Sequence, residues 1–254
     1  MAGPIQYLDR AARPRLAYRY VAGTSGAGPT IVFLPGYMSD MEGGKATALF
    51  GWAAAEGRAC LLLDYAGCGA SDGLFAEQDL LDWRGDILDL IDAKVAGPVI
   101  LVGSSMGGWL MLLAALALVA RDGPARVAGL VGIAAAPDFT DWGFTAQEKA
   151  IILAEGELRE ETPYSDQPYM TTRRFWQSGE ANRLLEAPIA LACPVRLLHG
   201  EDDGDVPSAI SLRLSAALAS DDVQVTLVKG GDHRLSRDGD IALLIDTVAR
   251  LATP

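Results

Sequence analysis

Residues Val99 to Gly108 run Val-Ile-Leu-Val-Gly-Ser-Ser-Met-Gly-Gly, an apolar stretch that breaks into Gly-x-Ser-x-Gly and then into a long apolar helix pattern from Trp109 to Ala120. A serine at the centre of that spacing sits on a sharp strand-to-helix turn, with its hydroxyl thrust out above the sheet. Glycines two residues to either side let neighbouring backbone pass where a side chain would collide. Ser105 meets the pattern, whereas Ser104 has Val102 and Met106 at those positions. A serine hydroxyl is a poor nucleophile near neutral pH, so the chemistry requires a base to take its proton and an acid to orient that base.

With 28 glycines in 254 residues the motif alone can arise by chance, and the partners decide. The chain has two histidines, His199 and His233. Behind such an elbow the order along the chain is serine, acid, histidine, and Ser105, the cluster Glu201 to Asp205 and His233 obey it. His233 lies in the polar loop Lys229-Gly-Gly-Asp-His-Arg-Leu-Ser236, between a strand pattern at Val223 to Val228 and a terminal helix at Ile241 to Leu251. His199 ends the apolar strand Val195 to Leu198 and is expected to support the acid-bearing loop by hydrogen bonding. Composition does not choose the acid among Glu201, Asp202, Asp203 and Asp205. An oxyanion formed on an acyl group needs two backbone N–H donors. Met106, after the nucleophile, supplies one, and Tyr37, in the loop that follows the strand Ile31 to Leu34 and the turn Pro35-Gly36, supplies the other. Only neutral imidazole accepts the serine proton, so activity is expected to fall in acid.

The elements that must hold these residues alternate. Strand patterns at Ile31 to Leu34, Ala59 to Asp64, Val99 to Val102 and Val127 to Ala135 are separated by helices near 44–56, 80–94 and from Ser105 onward. Short, continuous apolar strands alternating with helices imply a mostly parallel sheet covered on both faces. Arg15 to Val21 alternates like an edge strand, consistent with an initial antiparallel hairpin. Val195 to Leu198, a helix at Ser208 to Leu218, Val223 to Val228 and the terminal helix complete the expected eight-stranded sheet. Between Pro137 and Pro188 the rhythm breaks into a stretch rich in charged and aromatic residues, with Trp142, Phe144, Tyr164, Tyr169, Phe175 and Trp176. The expected organisation is a core of residues 1–136 and 189–254 with a small inserted cap, 137–188, over the carboxyl ends of the strands, where open α/β sheets bind ligands. Most of its aromatics are expected to form the cap's own small core, and others to line an acyl pocket.

Composition narrows the function classes. Half of the residues are hydrophobic and the formal net charge is −12, which suits one large core and excludes a basic nucleic-acid surface. No apolar stretch approaches the roughly twenty residues that cross a bilayer. The first ten residues have neither a secretory core nor transit-peptide character, so the expectation is a cytoplasmic protein. Cys60, Cys68 and Cys193 lack metal-ligand spacing and read as reduced packing residues. No cofactor and no metal are expected. The partner is an acyl substrate, small-molecule or protein-linked, and the oligomeric state is not addressed by these residues.

Three sets of residues carry a more specific resemblance: Phe33-Leu-Pro-Gly-Tyr-Met-Ser-Asp40 with Gly44-Lys-Ala46; Val102-Gly-Ser-Ser-Met-Gly-Gly-Trp-Leu-Met111; and Cys193-Pro-Val-Arg-Leu-Leu-His-Gly200 with Asp232-His-Arg234. Together they resemble the palmitoyl-protein thioesterase and acyl-glucuronide esterase group of mammalian mitochondria, within the alpha/beta-hydrolase superfamily. The resemblance runs from about residue 30 to the end and weakens across 137–188. It implies the alpha/beta-hydrolase fold. It places the acid at Asp203, because His199 to Pro207 is similar to a His-Gly-x-x-Asp-x-x-Val-Pro pattern, with Asp205 as the alternative. It assigns the loop Asp64 to Gly73 to the floor of the site. The implied activity is cleavage of acyl thioesters or activated esters through an acyl-enzyme on Ser105, in the manner of a palmitoyl-protein thioesterase. A general carboxylesterase on small-molecule esters is the second reading, and a hydrolase-fold binding protein without catalysis the third.

Overall fold

The computed structural model describes residues 3–24, 28–162 and 167–253. In chain order the elements are β1 (Gln6–Leu8), β2 (Leu16–Val21), β3 (Thr30–Leu34), α1 (Gly44–Ala55), β4 (Cys60–Leu63), α2 (Leu80–Lys94), β5 (Val99–Ser104), α3 (Met106–Asp122) and β6 (Val127–Ile133). They continue with α4 (Phe139–Trp142), α5 (Ala146–Glu155), β7 (Glu157–Glu160), β8 (Tyr169–Thr172), α6 (Arg173–Ala181), β9 (Val195–Gly200), α7 (Ala209–Ala217), β10 (Val223–Val228) and α8 (Asp238–Leu251). Among the described residues the main sheet has eight strands in the order β1-β2-β4-β3-β5-β6-β9-β10. β1 and β2 are antiparallel to their neighbours, and the pairs from β4 to β10 are parallel.

The continuous apolar strands follow from burial on both faces. Val32, Leu34, Leu61, Leu63 and Leu101 point into one core with Trp83 of α2, Trp109 of α3 and Leu214 of α7. Their chain neighbours Ile31, Phe33, Leu62, Ile100 and Val102 point into the other, against Leu49 of α1 and Leu244 and Val248 of α8. A strand buried on both faces has no polar side to show, which is why these segments read as unbroken apolar runs. α2 begins where the sequence dictates: the Asp79 carboxylate accepts from Leu81 N at 2.9 Å and Asp82 N at 3.0 Å, and Asp82 returns a bond to Asp79 N at 3.1 Å. Such a reciprocal cap contributes about 1 kcal/mol.

One expectation is corrected at the margin. Arg15 to Val21 is not the edge of the sheet, because β1 pairs outside β2 in register Gln6↔Tyr18. Three residues are too few to show a period, so the outer strand has no pattern of its own to read. Residues 137–188 enter the chain between β6 and β9, and those described contribute no strand to the main sheet. They form α4, α5, α6 and the antiparallel pair β7–β8, with Arg159 opposite Met170.

The loop after β4 braces the loop after β3. The Asp64 carboxylate accepts from Met41 N at 2.7 Å and from Ala70 N at 2.8 Å. Ser71 Oγ donates to Asp64 O and accepts from Ala17 N. The glycine-containing stretch from Asp64 to Gly73 is thus tied to Met41 through the buried Asp64 carboxylate. Its residues do not line the cavity described below.

Candidate active site

Ser105 joins β5 to α3 with φ +54° and ψ −120°, a conformation that costs a non-glycine residue about 1–3 kcal/mol and survives only when its surroundings force it. The forcing groups are backbone. A Cβ at Gly103 would collide with Gly107 O, and a Cβ at Gly107 would collide with Leu34 O and Pro35 O, so the start of α3 approaches the ends of β5 and β3 where only glycines fit. Ser105 N donates to Ile133 O at 2.9 Å, and Ser105 O accepts from Gly108 N and Ala136 N. A serine at a helix N-cap ordinarily turns its hydroxyl onto the first amides of the helix. Ser105 makes no such bond, and its Oγ lies 3.2 Å from His233 Nε2.

His233 follows β10, and its Nδ1 lies 2.9 Å from Asp203 Oδ2. Asp203 follows β9, and its side chain is only 1 % exposed. A carboxylate that deep needs its lone pairs filled. Oδ1 accepts from Asp205 N and Val206 N at 2.9 Å each. Oδ2 accepts from His233 and lies 3.2 Å from His199 Nε2. Burial pulls the Asp203 carboxyl upward, but the hydrogen bonds from His199, His233 and Val206 outweigh it and hold the group well below the usual carboxylate range. Since a carboxylate only accepts, the His233 proton sits on Nδ1, which leaves Nε2 open to take the Ser105 proton.

His199 does what its place in the sequence suggested. It is fully buried, with Nε2 donating to Val206 O at 2.8 Å and Nδ1 accepting from Ser211 Oγ at 2.7 Å. It holds both ends of the Asp203 loop and stands apart from Ser105. Of the remaining acids, Asp205 lies closest to the site. Asp203, Asp205 and His233 each offer a ligand atom within 4.8 Å of the others. The bond from His233 Nδ1 to Asp203 already joins two of these three groups.

Two amides lie beside Ser105. Met106 N is the first of α3, where the helix offers no carbonyl partner and the macrodipole is positive. Gly36 backs onto the elbow: a Cβ there would stand 3.4 Å from both Ser104 O and Ser105 Cβ, which brings the Gly36–Tyr37 peptide beside Ser105.

Ser105 and His233 open into a cavity of about 490 Å³. Phe139, Trp142, Phe144 and Tyr169 line it, together with Tyr37, Met38 and Val206. Phe175 is buried away from it, and Trp176 Nε1 donates to Thr140 O at 3.0 Å. The aromatics of 137–188 are therefore divided between a wall and a core, while Tyr164 lies outside the described residues. At the polar end Lys45 donates to Arg234 O; burial and the neighbouring Arg234 push its amine down to about 8. Sequence reasoning gave no role to Lys45, Arg234 or Met38. The thiols do not compete with Ser105, since burial pushes Cys68 up to about 12 and Cys193 up to about 11.

Residues 31–243 match the model of the alpha/beta hydrolase family. The chain belongs to that family. This hydrolase is 41 % identical over 252 residues to the mouse palmitoyl-protein thioesterase ABHD10, mitochondrial, an alignment covering 96 % of this chain and 81 % of the relative. It is 40 % identical to the human protein of the same name over 248 residues, 96 % of this chain and 78 % of that one. Among solved structures, an Agrobacterium vitis S4 protein described as a hydrolase superposes with TM-score 0.92 at 37 % identity, covering 99 % of this hydrolase and 100 % of that chain. Mouse alpha/beta hydrolase domain-containing protein 10 superposes with TM-score 0.88 at 39 % identity, covering 98 % of each.

The comparison corrects the expectation of a cytoplasmic protein. The curated relatives at about this identity are mitochondrial by name. A targeting address is read by a receptor and is no part of the packed core, so the residues that build the fold do not carry it. Among the described residues no helix is long and apolar enough to cross a membrane.

Proposed function

We propose that this hydrolase cleaves acyl thioesters and activated esters by transferring the acyl group to Ser105 and then to water. The observation that carries the reading is the unbroken chain from Ser105 Oγ through His233 to Asp203 at the mouth of an aromatic-walled cavity. Ser105 Oγ attacks the carbonyl carbon while His233 Nε2 takes the hydroxyl proton, and Asp203 holds the imidazole and steadies its charge. Met106 N–H and Tyr37 N–H stabilise the oxyanion. His233 then returns the proton to the departing thiolate or alkoxide. Water, activated by the same histidine, attacks the acyl-serine and frees the acid.

Residues 137–188 act as a cap in this reading, with Phe139, Trp142, Phe144 and Tyr169 offering apolar surface to an acyl chain. The relatives named palmitoyl-protein thioesterase support a long chain on a thioester as the preferred substrate. The test is a series of acyl thioesters and oxygen esters from two to sixteen carbons, run on the wild type and on Ser105→Ala. Ser105→Ala is expected to lose at least about 10⁴-fold in turnover with its thermal midpoint unchanged, and the wild type to prefer long thioesters. Turnover retained by Ser105→Ala rejects the mechanism. A maximum at short oxygen esters moves the substrate to small-molecule esters.

A further inference from the structure

Tyr37 stands where the two walls of the cavity meet. Its amide belongs to the loop beside Ser105, and its side chain reaches into 137–188. The phenol donates to Met170 O at 2.6 Å, and Met170 N in turn donates to Met38 Sδ at 3.3 Å. One residue of β8 therefore grips two consecutive residues of the loop. The Tyr37 ring lies 5.8 Å from Phe139, 6.0 Å from Tyr169 and 5.0 Å from Phe175, and on the core side 5.3 Å from Phe75 and 6.2 Å from Trp83.

The loop needs such a grip. Ser39 N donates to Gly36 O at 3.3 Å, closing a turn whose central residues are Tyr37 and Met38. Met38 has φ +49°, at the turn position where a positive φ calls for glycine or asparagine. A methionine there is strained and persists only when contacts over-determine it. The hydrogen bonds among those contacts come from Met170 of β8. Without them the turn can relax, and the peptide planes on either side of Tyr37 turn with it.

We propose that Tyr37 is a positioning residue: its side-chain tie to β8 holds the Gly36–Ser39 turn in the conformation that aims Tyr37 N–H at the oxyanion. The inference rests on the reading of that amide as an oxyanion donor. It makes the seating of β8 and the strength of the oxyanion site one property of the molecule.

Tyr37→Phe removes the hydroxyl and keeps both the ring and the amide. Its kcat on an acyl thioester is expected to fall about tenfold, part of the roughly 10²–10³ that one oxyanion donor contributes, with KM within about twofold of the wild type. The second readout is inhibition by an alkyl trifluoromethyl ketone. Ser105 Oγ bonds to the ketone carbon, the carbonyl electron pair moves to oxygen, and the hydroxyl proton passes to His233, so the adduct places an oxyanion in the site. Its affinity is expected to fall by the same factor as kcat. Met38→Leu, which keeps the bulk and removes the sulfur acceptor, is expected to move both readouts about threefold in the same direction, and decides the matter if Tyr37→Phe does not fold. Wild-type kcat and ketone affinity overturn the inference, as does a rise in KM with ketone affinity unchanged, which is what packing alone would give. If Ser105→Ala keeps its turnover, the underlying reading fails. If Ser105→Ala is inactive and Tyr37→Phe is unchanged, only this inference fails.

Discussion

The two walls of the cavity are built on different principles. On the wall formed by β3, β5, β9 and β10, backbone sets position: Ser105 is strained into place by glycines that leave no room for a Cβ, and Asp203 is fixed by two amides. The wall formed by 137–188 is hung from side chains. The Asp138 carboxylate accepts from Leu184 N and Leu185 N, Trp109 Nε1 donates to Asn182 O, and Arg174 pairs with Asp79 and Asp82 of α2. Backbone placement is precise and intolerant, whereas side-chain placement can be rebuilt one residue at a time around an unchanged frame.

If that contrast holds, the largest effects belong to the frame. Asp203→Asn keeps the shape of the acid but offers His233 an amide that no longer fixes the imidazole tautomer, and kcat should fall about 10³–10⁴-fold. The same change acts on stability with a defined sign. Asp203 is held below its ordinary value in the folded protein, so its contribution is present above the unfolded carboxylate pKa of about 3.9 and is lost as pH falls through the lower folded value. The denaturation midpoint of Asp203→Asn should therefore lie below that of the wild type at pH 7, with the gap closing in strong acid. A gap that widens in acid would reverse the assignment.

Gly107→Ala tests the frame by volume alone. The added methyl meets Leu34 O and Pro35 O, backbone atoms that cannot step aside as a flexible side chain would. Overpacking of this kind costs roughly 1–3 kcal/mol, and here it pushes the loop that carries Tyr37 away from Ser105. The variant should lose both stability and kcat. A methyl accepted at no cost to either would mean that the frame is softer than its contacts imply.

The same contrast explains what could be read in the sequence. The run Val99 to Val102 and the glycines around Ser105 are local signals of local constraints, so the strand and the strained turn that carries Ser105 were legible together. α2 was legible as a helix near 80–94, and Asp79 and Asp82 cap it within one turn. The choice of Asp203 needed the family resemblance, since four acids in five residues look alike until folding buries one. β1 was too short to show a period, and β7 and β8, with four residues each, were too short as well. The strained Met38 leaves no mark at all, because nothing in its residue type announces a positive φ.

The smallest effect is expected on the wall hung from side chains. Phe144 is half-buried, lines the cavity and packs on Phe139 at 6.2 Å between ring centroids. Truncation to alanine removes apolar surface that a long acyl chain would cover and a two-carbon acyl group would not reach. At about 25 cal/mol per Å², the loss of some 40 Å² of such contact is worth about 1 kcal/mol, or roughly fivefold in kcat/KM for a sixteen-carbon thioester. The two-carbon substrate should be hydrolysed as by the wild type. A fall shared equally by both chain lengths would mean that 137–188 reaches the chemistry through Phe144 as well as through Tyr37, and the division between frame and wall would have to be redrawn to place that side chain with the frame.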